Sequence, residues 1–242
     1  MSAKSIKIFT IGFRQVLRDG MLLILIPAPF LMAAALRVMV PLIDGFLQQQ
    51  MDIAITPWYG VSDGLLITMT PVMTAMISAF LILEERDEGI GIYYNITPAA
   101  GYSYLVARLG LPMIWGFISS VLVISLFAFT DFSVLQILIS AGIATLQGVI
   151  MGMFLVTIAS NKVEGLALAK ITNIFVMGFI VPWILTSPVR FVFGIFPGFW
   201  IGEIYQSPGM VEAATLLRGF GGLLSSIFFI IVLMRLFLRR IT

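Results

Sequence analysis

Glu84, Glu85, Arg86, Asp87 and Glu88 stand consecutively ahead of Gly89, in a chain of which only 11% is charged. Charge this dense at the end of an apolar run marks a polar handle presented to water and to another protein. A charge run elsewhere is usually a solvated face that fixes topology. His and Cys are absent, which removes the commonest transition-metal ligands, the thiol nucleophiles and any disulfide, and argues against zinc and redox chemistry. Within the apolar segments polar residues are few. Thr70, Thr74 and Ser78 recur every fourth residue and could line a substrate path, although small hydroxyl residues also let transmembrane helices pack closely. Gln136, Gln147 and Asn173 must find partners in lipid, and Gln147 and Asn173 join Arg37 as path candidates. Gly148 and Gly152, and the pairs Gly221/Ser225 and Gly222/Ser226, read as helix-contact faces. No His, Cys or paired carboxylate lies at membrane depth, so an intramembrane enzyme is disfavoured and no catalytic or metal-binding residue is assigned.

The elements that must carry these residues follow from composition. With 60% hydrophobic residues and mean hydropathy +1.08 over 242 residues, the chain cannot hide its apolar surface in one water-soluble globule. The expected fold is all-α and integral to the membrane, one transmembrane domain over 1–242. Its six spans fall at 21–43, 65–83, 105–130, 133–159, 167–186 and 213–238, each near the roughly 20 residues that a helix needs to cross hydrocarbon. Residues 1–20 put Lys4, Lys7, Arg14 and Arg18 on one side and Ile6, Phe9, Phe13, Val16 and Leu17 on the other, which predicts an amphipathic helix in the interface plane. A short cytoplasmic element, 84–104, follows the second span. Between spans five and six, 187–204 is apolar but broken by Pro188, Gly194, Pro197 and Gly198, so a re-entrant outer hairpin is expected rather than a seventh crossing.

Charge placement supports six crossings. With both termini in the cytoplasm, Lys4, Lys7, Arg14, Arg18, Arg86, Arg108, Lys162, Lys170, Arg235, Arg239 and Arg240 fall inside, eleven of the fourteen basic residues, as the positive-inside rule requires. Asp44, Asp52, Asp63, Asp131 and Glu203 are expected in outer loops. Arg37 lies about 24 Å beyond residue 21 along a helix, near the outer interface, where it would snorkel or pair with Asp44. Arg218 is in the outer half of the sixth span; were both arginines to face a lumen, an anionic or amphiphilic substrate would suit them. The net charge of +2 is too small to suggest nucleic acid as a partner.

The order of parts resembles a known family. An amphipathic segment ending Arg14-Gln15-Val16-Leu17-Arg18-Asp19, a first span, an outer loop, and a second span running into Glu85-Arg86-Asp87-Glu88-Gly89 resemble the type 2 ABC exporter permeases. Thr97-Pro98 and Tyr104-Leu105 followed by Arg108 are similar to that family's next signature, with arginine where lysine is common; after Gly89, Ile90 replaces the threonine often found there. Asn161-Lys162-Val163-Glu164-Gly165 resembles its turn into the fifth span. The resemblance implies a permease that works beside a second permease, the same or a homologous chain, each docked on a separate ATP-binding-cassette subunit, two of these per complex. ATP and Mg would sit on that ATPase, with no cofactor in this chain, which has no G-x-x-x-x-G-K-[ST] sequence. It further implies that Glu84 to Gly89 anchor a coupling helix whose docking contacts are Tyr93, Tyr94, Asn95, Ile96, Thr97 and Pro98. The cargo would be a drug, peptide, lipid or similar amphiphile leaving the cytoplasm across the cell membrane. The competing expectation is an ion-coupled secondary transporter, which ordinarily shows internal repeats and an acidic residue deep in a span. No convincing repeat is present.

Overall fold

The computed structural model describes residues 24, 26–89, 102–206, 209 and 211–241; the expected interfacial helix at 1–20 lies outside the described residues. Among the described residues every regular element is helical. The long helices are α1 (Ala28–Met51), α2 (Tyr59–Asp87, led by a 3₁₀ turn at Thr56–Trp58), α3 (Tyr102–Phe127) and α4 (Val134–Ile158). Next come α5 (Lys162–Val176), a 3₁₀ turn at Met177–Ile180 and the short α6 (Val181–Ile184). A 3₁₀ segment at Pro188–Ile195, α7 (Pro197–Tyr205) and α8 (Glu212–Ile241) complete the chain. Among the described residues, six stretches are long and apolar enough to cross a membrane: Ala28–Met51, Thr56–Asp87, Arg108–Phe127, Val134–Ile158, Lys162–Ile184 and Glu212–Phe237.

The second span is the hub of the bundle: 78% of its apolar window is buried, against 11% in α1. It packs on α3 and α4, while α8 packs on α4. Close approach is possible because small residues sit at the crossings, the expected device where lipid removes any hydrophobic drive for helices to meet. At Gly148 of α4, even a Cβ would stand 2.7 Å from the Pro71 carbonyl oxygen of α2. At Gly222 of α8 it would stand 2.5 Å from the Ile143 side chain. The glycine pairs expected to be contact faces therefore are contact faces. Outward, Leu217, Phe220, Leu224, Phe228 and Ile231 leave one side of α8 apolar and exposed, the surface a lipid-facing helix presents.

Two helix limits differ from those set by hydropathy, for the same reason. α1 continues to Met51 rather than stopping near 43, because the Asp44 carboxylate is satisfied: it accepts from Ile55 N (2.8 Å), Thr56 Oγ1 (3.1 Å) and Tyr59 Oη (2.7 Å). α1 ends where Asp52 turns left-handed, at φ 54°. Asp63, expected in an outer loop, lies within α2 and is completely buried. Its oxygens accept the backbone N–H groups of Phe129 (2.9 Å) and Thr130 (3.0 Å), closing the turn between α3 and α4. Gln136 likewise does not face a lumen. Its Oε1 accepts from Ser133 N (3.0 Å) while Ser133 Oγ accepts from Gln136 N (3.2 Å), a capping box that starts α4.

Beyond α6, the chain returns through Pro188–Ile195 and enters α7, most of which is buried. A Cβ on Gly202 would overlap the Phe179 carbonyl, and Gly198 lies against Gln147 of α4. Gln147 is thirteen residues into α4, about 20 Å from its start, so the first turn of α7 reaches the middle of the bundle.

Candidate functional site

Of the charged residues 84–88, the first four knot four helices together. Glu85 and Arg108 make a salt bridge between α2 and α3, with both side chains only 3% exposed. Arg86 reaches the end of α4, donating from Nη1 to Ala159 O (2.6 Å) and from Nη2 to Val156 O (3.0 Å). The last carbonyls of a helix have no partner within it, so a guanidinium there satisfies them and complements the negative end of the helix dipole. Lys162, at the start of α5, pairs through Nζ with Glu84 (2.9 Å), and its backbone N–H donates to Asp87 Oδ2 (2.9 Å). Glu164 accepts from Ser160 N (2.7 Å) and Asn161 Oδ1 accepts from Glu164 N (2.8 Å), which shapes the turn between α4 and α5. Glu88 and Gly89 follow as a turn, Gly89 at φ +71°, a conformation glycine adopts without penalty. The segment carrying Tyr93, Tyr94, Asn95, Ile96, Thr97 and Pro98 lies outside the described residues.

Arg108 and Lys162 were legible as topology markers and as members of the resembling motifs but not as ion-pair partners, because their acidic partners are 23 and 78 residues away in sequence. The result is chemically simple: one end of the bundle holds α2, α3, α4 and α5 in a single hydrogen-bonded junction.

The opposite end has its own polar ties. Arg37 does not pair with Asp44. The two are seven residues apart on one helix, about 10 Å, too far for one hydrogen bond. Arg37 Nη1 instead donates to Ala128 O (2.9 Å), with its guanidinium 5.1 Å from the Phe129 ring centroid. Glu203, buried to 1% side-chain exposure, takes two cations: Arg190 at 2.9 Å and Arg218 at 3.2 Å. Arg218 thus ties α8 to α7. Arg190 also donates to Gln206 Oε1 (3.3 Å), and Gln206 Nε2 donates to Pro182 O (2.8 Å). All of these groups except Arg37 and Arg218 escaped the reading of candidate residues; a carboxylate and arginines within an apolar stretch were the available signal.

Thr70, Thr74 and Ser78 are buried in helix contacts. Thr70 Oγ1 donates to Leu66 O (2.7 Å) and Thr74 Oγ1 to Pro71 O (2.9 Å), so both hydroxyls spend their protons on their own helix. Gln147 is buried too, yet its Oε1 has no hydrogen-bond partner. The side chain of Asn173 lies outside the described residues.

Comparison with known proteins adds a family. The chain matches, over residues 12–234, the family model described as fluoroquinolones export permease protein Rv2686c-like. Two curated relatives from Mycobacterium tuberculosis are similar, the fluoroquinolones export permease proteins MT2760 (strain CDC 1551 / Oshkosh) and Rv2686c (strain ATCC 25618 / H37Rv). Each is 24% identical over 195 residues, which is 79% of this chain and 77% of the relative. No solved structure matches.

Proposed function

The chain belongs to the Rv2686c-like family of fluoroquinolone export permease proteins, and from that premise we propose that it is the membrane half of an ATP-driven drug exporter. In this reading it sits in the cell membrane with both termini cytoplasmic, beside a second permease of the same or a homologous kind. Each permease docks on an ATP-binding-cassette subunit that binds ATP and Mg and does the hydrolysis. The cargo is a fluoroquinolone-like aromatic drug.

One observation carries the mechanism: the junction of Glu84, Glu85, Arg86 and Asp87 with Arg108, Lys162 and the end of α4. The ATPase grips the segment 90–98, with Glu88 and Gly89 as its root. Closure of the nucleotide-bound ATPases pushes on that root, and the junction passes the push to four helices as a rigid-body movement. α7 and the 3₁₀ segment before it form the re-entrant outer hairpin.

The test is gentle purification of the tagged chain from its own membranes. A subunit bearing a phosphate-binding loop should accompany it, and a fluoroquinolone should stimulate ATP hydrolysis by the complex. Drug transport by the chain alone, driven by an ion gradient without nucleotide, would refute the proposal. That outcome defines the second reading, ion-coupled transport, which has one observation in its favour: the completely buried Asp63 carboxylate within α2. Gradient-driven transport that Asp63→Asn abolishes would support it.

A further inference from the structure

Lys170 is counted with the cytoplasmic charges by the positive-inside rule, but the apolar stretch that carries it begins at Lys162. Lys162 marks the polar end of the bundle through its pair with Glu84, and Lys170 stands eight residues further on, about 12 Å along the helix. A lysine side chain reaches roughly 6 Å, so even snorkelling toward that end it leaves its ammonium about 6 Å inside the apolar layer. Lys170 is exposed, and its side chain makes no hydrogen bond or ion pair with any described residue. Its neighbours on the same face, Val163, Leu166 and Met177, are 77%, 38% and 43% exposed. A bare cation among apolar side chains at membrane depth is costly and marks a place that a counter-charge reaches.

The flank of the bundle beside it is open. Phe175, which packs on Phe154 of α4 at 6.2 Å, is five residues from Lys170 and so about 140° round the helix, which puts Lys170 on the side of α5 away from α4. There α1 and α5 both pack on α2 and make little contact with each other. Between them runs the least covered stripe of an otherwise buried helix: Leu65, Met69, Met73 and Met76, spaced by three or four residues and each half-buried. Round α2 the stripe falls between Leu66, which shares a cluster with Ala33 of α1, and Leu83, against which Gly165 of α5 rests. Leu168 and Ala169 pack on the same small cluster as Met76, which brings Lys170 to the level of the methionines.

We propose that this trough between α1 and α5 holds an organic anion, its apolar body on Met69, Met73 and Met76 and its single carboxylate on the Lys170 ammonium. The ammonium offers three donors and no acceptor, and a carboxylate meets it with charge-assisted hydrogen bonds, stronger than those between neutral groups. A group of higher charge would cost more to bring out of water. Methionine side chains adapt to guests of different outline, so the floor selects little and the acid group is what Lys170 selects. A phospholipid carries its phosphate at the interface, above the level of Lys170. The inference deepens the export reading by giving the cargo an acid group and a residue that holds it, and rests on that reading for transport but not for binding.

The experiment uses the full chain in phosphatidylcholine nanodiscs at neutral pH, with 2-naphthoate and its methyl ester as probes and empty nanodiscs as the partition control. 2-Naphthoate should bind roughly tenfold tighter than the ester, the worth of one hydrogen bond to a charged group. Lys170→Met should erase that preference at an unchanged melting midpoint, because the side chain ties no helix to another, and Lys170→Arg, which keeps the charge, should retain most of it. Because the chain has no cysteine, Met73→Cys gives a second readout: 2-naphthoate should protect it from N-ethylmaleimide, and should no longer do so when Lys170→Met is added. Equal affinity for the two probes, a preference that survives Lys170→Met, or no protection at Met73→Cys would overturn the site. So would a phospholipid lost in Lys170→Met that 2-naphthoate does not displace, or disulfide formation between Met73→Cys copies that 2-naphthoate does not slow, which would give the face to a second copy of the chain. Failure of the wild-type complex to export drug with ATP would refute the export reading and leave the binding result standing.

Discussion

Replacing Arg108 by Met tests whether the junction is a buried electrostatic tie. Both side chains of the Glu85–Arg108 pair are 3% exposed, so the substitution takes the compensating cation from a carboxylate that solvent cannot hydrate. Removing one partner of a buried pair costs about 3–5 kcal/mol. For a chain of this size, each kcal/mol corresponds to roughly 2–4 °C in Tm, so Arg108→Met should lower the melting midpoint by about 10 °C in scanning fluorimetry of the detergent-purified protein. Glu85→Leu with Arg108→Met removes both charges and replaces them with apolar groups of similar bulk, an exchange that is often neutral or better. The double variant should therefore recover most of the loss. Lys162→Met supplies the contrast. Lys162 and Glu84 are 24% and 32% exposed, solvent screens them, and the loss should stay within about 1 kcal/mol. An Arg108→Met midpoint equal to wild type, or a double variant as unstable as the single, would refute the argument that burial of this pair ties α2 to α3.

Three further outcomes follow from the same geometry. Gly148→Val should destabilise the protein by about 1–3 kcal/mol, read as a lower melting midpoint, because its Cβ would meet the Pro71 carbonyl oxygen at 2.7 Å; Gly142→Ala on the same helix, with open space around it, should leave the midpoint unchanged. Glu203→Gln takes the negative charge from between Arg190 and Arg218 and should cost about 1–3 kcal/mol, with Arg190→Met in the same background costing less than it does alone in a double-mutant cycle. Replacing Glu88 and Gly89 together should lower drug transport and drug-stimulated ATP hydrolysis at unchanged membrane insertion, measured by reporter fusion and by transport into vesicles; normal coupled turnover in that variant would remove Glu88 and Gly89 from the coupling role.

Six crossings were readable because lipid imposes a length and a polarity that any 20-residue window either meets or does not. Helix ends were harder. Hydropathy falls at Asp44 and Asp63, but each helix runs on because the carboxylate finds donors: Ile55, Thr56 and Tyr59 for one, the Phe129 and Thr130 amides for the other. A hydropathy drop marks the edge of the hydrocarbon, not the end of hydrogen bonding along the backbone. At the junction, the importance of residues 84–88 was visible as charge density, whereas their partners were not, since Arg108 and Lys162 come from distant stretches and only the packing of α3 and α5 on α2 brings them close. Gln136 shows a local signal that was available: Ser133-x-x-Gln136 has the capping-box spacing, and a polar residue with a partner three positions away needs no lumen.

The distribution of polar ties also explains how a bundle this apolar can be both specific and movable. Its middle crossings, α2 with α4 at Gly148 and α4 with α8 at Gly222, rest on close van der Waals contact that the missing glycine side chains permit. Directional bonds are concentrated at the ends: Glu85, Arg86, Glu84 and Asp87 join α2 to α3, α4 and α5 at one, and Glu203 joins α7 to α8 at the other. α5, through Lys162, and α8, through Arg218, are thus fastened at opposite ends of the bundle and to different partners. In the proposed mechanism, a push delivered at the α2 terminus reaches α5 directly, through Lys162, and reaches α8 through its contacts with α4 and α7.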